Sequence, residues 1–301
     1  MEYWFGDCSD SNILVVTDRK QYSEINNVLL NLKSKSVRYL LVDEEEFSTD
    51  EYVKIAPSDL MVVALSVDSF AFKGYNKFFS PFKKPKSLLA KYIFIRLDIT
   101  SKSLIEGLNT PIEVFEEVYK YYKSIPKGSK LCVKNNSGTD LQFEINEFKT
   151  CSHRISPYSD NAFLPPSELE AGIKLGTAKG KIVIDCTIGQ INQYGKWLGM
   201  FGLVETPVTL TIQDSIITDI IGNEELKEIL FSLEPECRTL VEFGKGLSKI
   251  TPTGIIGVDE SIIDTCHFGI GDGVGFGISN EASIHLDVVI HQPEVWKISN
   301  K

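Results

Sequence analysis

Residues 265–289, "TCHFGIGDGVGFGISNEASIHLDVV", decide how the C-terminal half of this chain is read. Two of its four histidines stand here, 18 residues apart, with five glycines between them and Asp287 two residues after the second. Glycine recurs at 269, 271, 273, 275 and 277, which is strict alternation and not G-x-G-x-x-G. A phosphate-binding loop should also lead into a helix, whereas "ASIHLDVVI" (282–290) reads as strand. Glycine within strands instead marks a close approach of backbone to a site or a partner strand. The stretch is therefore either a glycine-punctuated hairpin or the rim of a metal site.

In a strand, residues two apart share a face, so His285 and Asp287 project together while Leu286 faces the other way. An imidazole beside a carboxylate suits Zn, Mn or Fe(II). The same H-x-D also reads as a surface pair or a buried hydrogen bond. His267, in "CHFGIG", can pair with the 285 strand across a hairpin, which brings two histidines and one carboxylate together, the minimum for a 2-His-1-carboxylate site. Cys266 is a poor thiol partner for His267, because adjacent strand residues face opposite sides.

Two further carboxylates stand out. Glu168 lies in "LPPSELEAG", after two prolines that favour an extended approach, and reads either as a site residue or as a helix-first-turn acid. Glu242 lies in "TLVEFGKGL", flanked by apolar residues. A buried Glu needs a cation, and either a metal or a lysine such as Lys245 would serve. Neither a Gly-x-Ser-x-Gly elbow nor an H-E-x-x-H helix is present, which leaves serine hydrolase and zincin readings without support.

Composition sets outer limits. The 301 residues are 43% hydrophobic and 24% charged, an ordinary globular balance, and the net charge of -10 disfavours non-specific nucleic-acid binding. The start "MEYWFGDCSD" lacks the basic and apolar regions of a secretory signal, and apolar runs such as "LMVVAL" (60–65) are too short to span a bilayer. Six cysteines without a C-x-x-C pair read as reduced thiols. The expectation is a cytoplasmic protein with no membrane or nucleic-acid partner.

Along the chain the texture changes once. "SNILVVTD" (11–18), "VRYLLVD" (37–43), "DLMVVALSV" (59–67) and "YIFIRLD" (92–98) read as strands, with helical spacing in "QYSEINNVLLNLKSKS" (21–36) and "PIEVFEEVYKYYKSI" (111–125). That alternation predicts an α/β domain with a mostly parallel sheet over 1–128. After "PKGSK" come short alternating runs, "KLCVKNNSGTDLQFEINEFKT", "GKIVIDCTI" and "TPVTLTIQDSIITDIIG", interrupted by one acidic helix at 223–233. They predict a β-rich α+β domain over 129–301, which carries the candidate metal site.

Five of these segments, in order, resemble the thermophilic-type metalloaminopeptidase family (aminopeptidase T and aminopeptidase S, the M29 peptidases). "SGTDLQFEI" (137–145) is similar to its Gly-Thr-Asp-Leu strand, and "NAFLPPSELEAGIKLGTAKGKIVID" (161–185) to its first glutamate segment and the strand after it. "VEFGKGLS" (241–248), "VDESIIDTCHFGIGDGVGFG" (258–277) and "ASIHLDVVI" (282–290) resemble the second glutamate segment, the first histidine segment and the closing H-x-D strand. Over the first 130 residues only the α/β texture agrees.

The resemblance implies that Glu168, Glu242, His267, His285 and Asp287 ligate two divalent ions (Zn, Co or Mn), with Glu168 as general base or bridging ligand. It further implies a peptide or small amide substrate and a homodimer. A related branch resembles 2,5-dihydroxypyridine dioxygenases, in which His267, His285 and Asp287 would hold one Fe(II). The chain departs from the family pattern at Val274, where the family has a site tyrosine, and at Ser167, where it has glycine. It is also shorter, with the difference in the N-terminal half. These departures motivate a third reading, a peptide-binding or scaffold protein with a degenerate site.

Overall fold

The computed structural model describes residues 2–42, 59–72, 77–79, 90–149, 153–154 and 159–298. The chain sorts into two compact units, Met1–Thr110 with Cys151–Ser167, and Pro111–Thr150 with Glu168–Lys301. The expected single division at 128/129 differs from this grouping in two ways. The helix Ile112–Lys123 belongs with the second unit, and residues 161–164 belong with the first. The second difference has a plain cause: a four-residue strand carries little periodicity, and its partner lies far upstream.

In the first unit, β1 (Asn12–Thr17), β2 (Ser36–Leu41), β3 (Leu60–Ala64) and β4 (Lys91–Ile95) pair in parallel in the order β2-β1-β3-β4. The chain then forms β5 (Lys130–Lys134) and β6 (Asp140–Glu144) of the second unit and returns for β7 (Asn161–Leu164), which joins β4 in parallel. Leu14, Val16, Met61, Val63, Phe94 and Phe163 form its core. The near-continuous apolar runs are those of a parallel sheet covered on both faces.

Asp18 caps the helix Arg19–Leu29 by accepting from the Gln21 backbone N–H at 2.9 Å. Its other oxygen accepts from Ser66 N at 2.7 Å and Ser66 Oγ at 2.8 Å. Burial alone would raise this carboxyl, but the donors on Ser66 and Gln21 outweigh it and hold the group below its ordinary value. β1 and β3 flank the point where strand order reverses, the usual ligand crevice of an open parallel sheet. Here the donors at that point are taken by the chain's own carboxylate.

The second unit continues with β8 (Glu168–Gly172), β9 (Lys179–Ile184), β10 (Thr187–Gln193), β11 (Lys196–Leu203), β12 (Val208–Gln213), β13 (Ile216–Ile221), β14 (Leu240–Gly246), β15 (Thr265–Gly271), β16 (His285–His291) and β17 (Glu294–Lys297). They form two six-stranded sheets with antiparallel pairing, β11-β10-β16-β15-β14-β8 and β13-β12-β9-β6-β5-β17. The run "GKIVIDCTI" divides at Asp185 and Cys186 into β9 and β10, which lie in different sheets. The acidic segment forms the helix Glu224–Ser232, capped by Asn223.

Phe243 of β14 and Phe268 of β15 have ring centroids 5.7 Å apart and reach Phe143 of β6 at 5.2 and 6.1 Å. This aromatic cluster is the core on one face of β14 and β15. Five cysteines are buried and free, and Asp43 and Cys151 lie outside the described residues. Among the described residues no helix is long and apolar enough to cross a membrane.

Candidate metal centre

The opposite face of β8, β14, β15 and β16 carries the polar residues. In the ladder, Glu242 stands between Gly172 and Gly269, and Gly269 faces Asp287. Farther along, Gly244 stands between Glu170 and His267, Gly246 faces Glu168, and Gly271 faces His285. Large polar side chains and glycines therefore alternate across the strands as on a checkerboard.

The glycines make the room into which the side chains lean. A Cβ at Gly244 would stand 1.8 Å from His267 Cε1, and one at Gly269 would stand 2.5 Å from Glu242 Oε2. The alternation in the 265–289 stretch thus has two parts. Gly269 and Gly271 belong to the polar face of β15, while Gly273, Gly275 and Gly277 shape the turn beyond it.

All five sequence-predicted residues meet on this face. His267 Nε2 is 3.3 Å from Glu242 Oε1, and His285 Nε2 is 3.2 Å from both Glu242 Oε2 and Asp287 Oδ1. Candidate ligand atoms of Glu242, His267 and Asp287 lie within 4.8 Å of one another, and so do those of Glu168, Glu260 and His267. The two trios share His267. His285 Nδ1 lies 2.8 Å from the Asp272 carbonyl; an N–H donated there turns Nε2 toward the carboxylates. The Phe276 ring stacks on His285 with centroids 5.4 Å apart, which fixes the plane of the imidazole.

Two local alternatives do not hold. Glu168 is the first residue of β8 and not a helix-first-turn acid. Lys245 does not pair with Glu242: its Nζ donates to the carbonyls of Ile263 and Thr265, at 2.9 Å for the latter. Burial lowers that ammonium to about 8. Val274 is 58% exposed in the turn after β15, so no side-chain hydroxyl is supplied from the position of the family tyrosine. His291 ends β16, and its backbone N–H donates to Asp185 at 2.7 Å.

Two acids of the site were missed in the sequence. Glu170 was legible, because Glu-x-Glu in "SELEA" obeys the same two-residue rule as His-x-Asp. Glu260 had no such signal, because it comes from the turn after the short helix Ile256–Asp259.

The electrostatics favour a cation. Burial works against the charge on Glu242, yet His267 and His285 hold its carboxyl below the ordinary value. Burial likewise opposes charge on His267, but Glu242 outweighs it and lifts the imidazole to about 10. Burial also opposes charge on His285, which Asp287 and Glu242 raise well above its usual value. Glu170 is pushed up to about 9 by burial first and then by Glu168 and Glu242. Without an ion, protons on the two histidines and on Glu170 offset the charge of the gathered acids.

His267 Nδ1 and Glu242 Oε2 are buried without a hydrogen bond; the latter has only the 3.2 Å approach of His285. Unsatisfied imidazole nitrogen and carboxylate oxygen at one place are the donor set of Zn, Mn, Co and Fe(II), so the residues present fit such an ion.

No family model matches the sequence, and no curated protein matches it. Among solved structures, the fold is similar to that of 2,5-dihydroxypyridine dioxygenase from Pseudomonas putida KT2440, with a TM-score of 0.59 and 14% identity over 96% of this chain and 89% of that one. It is also similar to wild-type AmpT from Thermus thermophilus, with a TM-score of 0.55 and 12% identity over 99% of this chain and 92% of that one. At these identities the likeness is one of fold.

Two outcomes are expected. Gly269→Ala should drive Glu242 out of place at an overpacking cost of about 1–3 kcal/mol and lower divalent-ion uptake; an alanine variant with unaltered uptake and urea midpoint would contradict the packing described. The second outcome concerns pH in the chelator-treated chain. His267 has a folded value of about 10 against 6.5 ordinarily, so its contribution to stability is complete below pH 6.5 and is lost as pH rises through 10. The melting temperature should fall over that window, and saturating divalent ion should flatten the slope by replacing the proton. A chelated protein with a flat profile would refute this electrostatic account.

Proposed function

We propose that this chain is a metal-dependent hydrolase acting on peptide N-termini or a related amide through two divalent ions. The observation that carries the reading is the pair of carboxylate–histidine trios meeting at His267, Glu168–Glu260–His267 and Glu242–His267–Asp287. A mononuclear 2-His-1-carboxylate site has no use for Glu168, Glu242 and Glu260 together. When bound, such ions polarise a carbonyl and lower the pKa of water.

The chain's own residues do the rest. Glu168, buried at the start of β8, takes the proton from the attacking water and returns it to the leaving amine. Glu242, in contact with both histidines, spans the two halves of the cluster. The Asp272 carbonyl accepts from His285 Nδ1–H, which leaves Nε2 facing Asp287 and Glu242. Val274 and Phe276 give the turn beyond β15 an apolar surface beside His285. The resemblance of five ordered segments to the M29 peptidases supports this reading, and so does the fold shared with AmpT.

A second reading has its own support in the fold shared with the Pseudomonas dioxygenase. There His267, His285 and Asp287 would hold one Fe(II), and the substrate would be an electron-rich aromatic ring opened by oxygen.

The deciding experiment uses chelator-treated protein reloaded with Zn, Co, Mn or anaerobic Fe(II). Amine release from a panel of aminoacyl p-nitroanilides is monitored beside oxygen uptake with 2,5-dihydroxypyridine. Hydrolysis without oxygen, reduced about 100-fold or more in Glu168→Gln, is expected. Oxygen uptake specific to Fe(II) and indifferent to Glu168→Gln would establish the dioxygenase instead. A chain that takes up no ion and turns over neither substrate would point to a binding protein.

A further inference from the structure

We infer that Asp259 is a positioning residue that builds one of the two ion positions by clamping the turn that presents Glu260. This inference rests on the two-ion reading above. Asp259 is fully buried, and both its oxygens are engaged. Oδ1 accepts from Thr253 N at 2.8 Å and Thr253 Oγ1 at 2.7 Å, while Oδ2 accepts from Gly254 N at 2.7 Å and Thr187 Oγ1 at 2.6 Å. All four donors are neutral groups, and charge-assisted bonds of this length are stronger than neutral ones.

The clamp ties the turn to two strands of the site sheet. Thr187 lies on β10 and pairs with Val289 of β16, the strand that carries His285 and Asp287. Thr265, which begins the strand on which His267 stands, donates its hydroxyl to the Ile262 carbonyl at 2.8 Å, and the same Oγ1 lies 3.3 Å from the Asp259 carbonyl. Glu260 comes directly after Asp259, and its backbone N–H closes the short helix on Ile256 at 3.0 Å. Glu260 and His267, two members of one trio, are thus referred to a common anchor. The other trio, Glu242–His267–Asp287, draws its three residues from strands alone and does not include Glu260. Loosening the clamp should therefore weaken one ion position and leave the other.

Zn binding to chelator-treated protein, measured by competition with a chromophoric chelator, tests this with Asp259→Asn, Thr187→Val and, as comparator, Glu260→Gln. An asparagine turns an amide N–H2 toward two of the four donors, and the valine removes one donor while keeping the carboxylate. Asp259→Asn should weaken one of two Zn equivalents by about 10-fold or more, as Glu260→Gln does, and leave the other unchanged. Thr187→Val should weaken the same equivalent to a smaller degree, and it decides the matter if Asp259→Asn does not fold.

A purely structural Asp259 would lower the melting temperature and leave both Zn affinities unchanged in the folded variants. Two wild-type equivalents, one of them weakened by Glu260→Gln but both indifferent to Asp259→Asn and Thr187→Val, would overturn this inference alone. A wild-type chain with no second equivalent would remove the two-ion reading and this inference with it.

Discussion

The burial of the Glu242 carboxylate between two imidazoles is the constraint on which the rest of the second unit depends. A carboxylate removed from water must meet positive charge, and Glu242 finds it at 3.3 Å from His267 and 3.2 Å from His285. Three adjacent strands must then bring those groups to one face in one register. A slip of one residue would send the imidazoles into the aromatic core and Phe268 to the polar side. The sheet tolerates a dense polar face because glycine stands across from each large group, and because Phe243, Phe268 and Phe143 fill the reverse side. The cost of gathering five acids there is offset by protons, on Glu170 and the histidines, or by metal ions.

Much of this was legible in the sequence, for a physical reason. The side-chain period of a strand is two, so "HLD" declared a shared face for His285 and Asp287, and strict glycine alternation declared backbone packed against something bulky. An acid inside "TLVEFGKGL" declared a buried charge in need of a partner. "SNILVVTD" also announced its cap, because Asp18 accepts from Gln21 as the sequence order suggests. The resemblance to the metallopeptidases supplied the grouping of five candidate residues, which no local pattern could give.

What remained hidden depended on distance along the chain. Residues 161–164 join a parallel sheet whose other strands lie upstream, so the division at 128/129 could not anticipate their return. "GKIVIDCTI" reads as a single apolar run, and only the tertiary structure shows it changing sheets at Asp185, which is held by the His291 backbone N–H. Glu260 reaches the site from a turn fixed by Asp259, Thr187 and Thr253, contacts separated by up to 72 residues. Nothing in its neighbours' chemistry marks it as a member of the cluster.

The glycine-flanked polar face of β8, β14, β15 and β16 is proposed as a metal centre. Anomalous diffraction from crystals soaked in Zn or Mn, recorded on both sides of the metal edge, tests it most directly. Two peaks are expected, one bounded by Glu242, His267 and Asp287 with His285 beside it, and one bounded by Glu168, Glu260 and His267. Peaks confined to other parts of the surface, with protons left on His267 and His285, would contradict it.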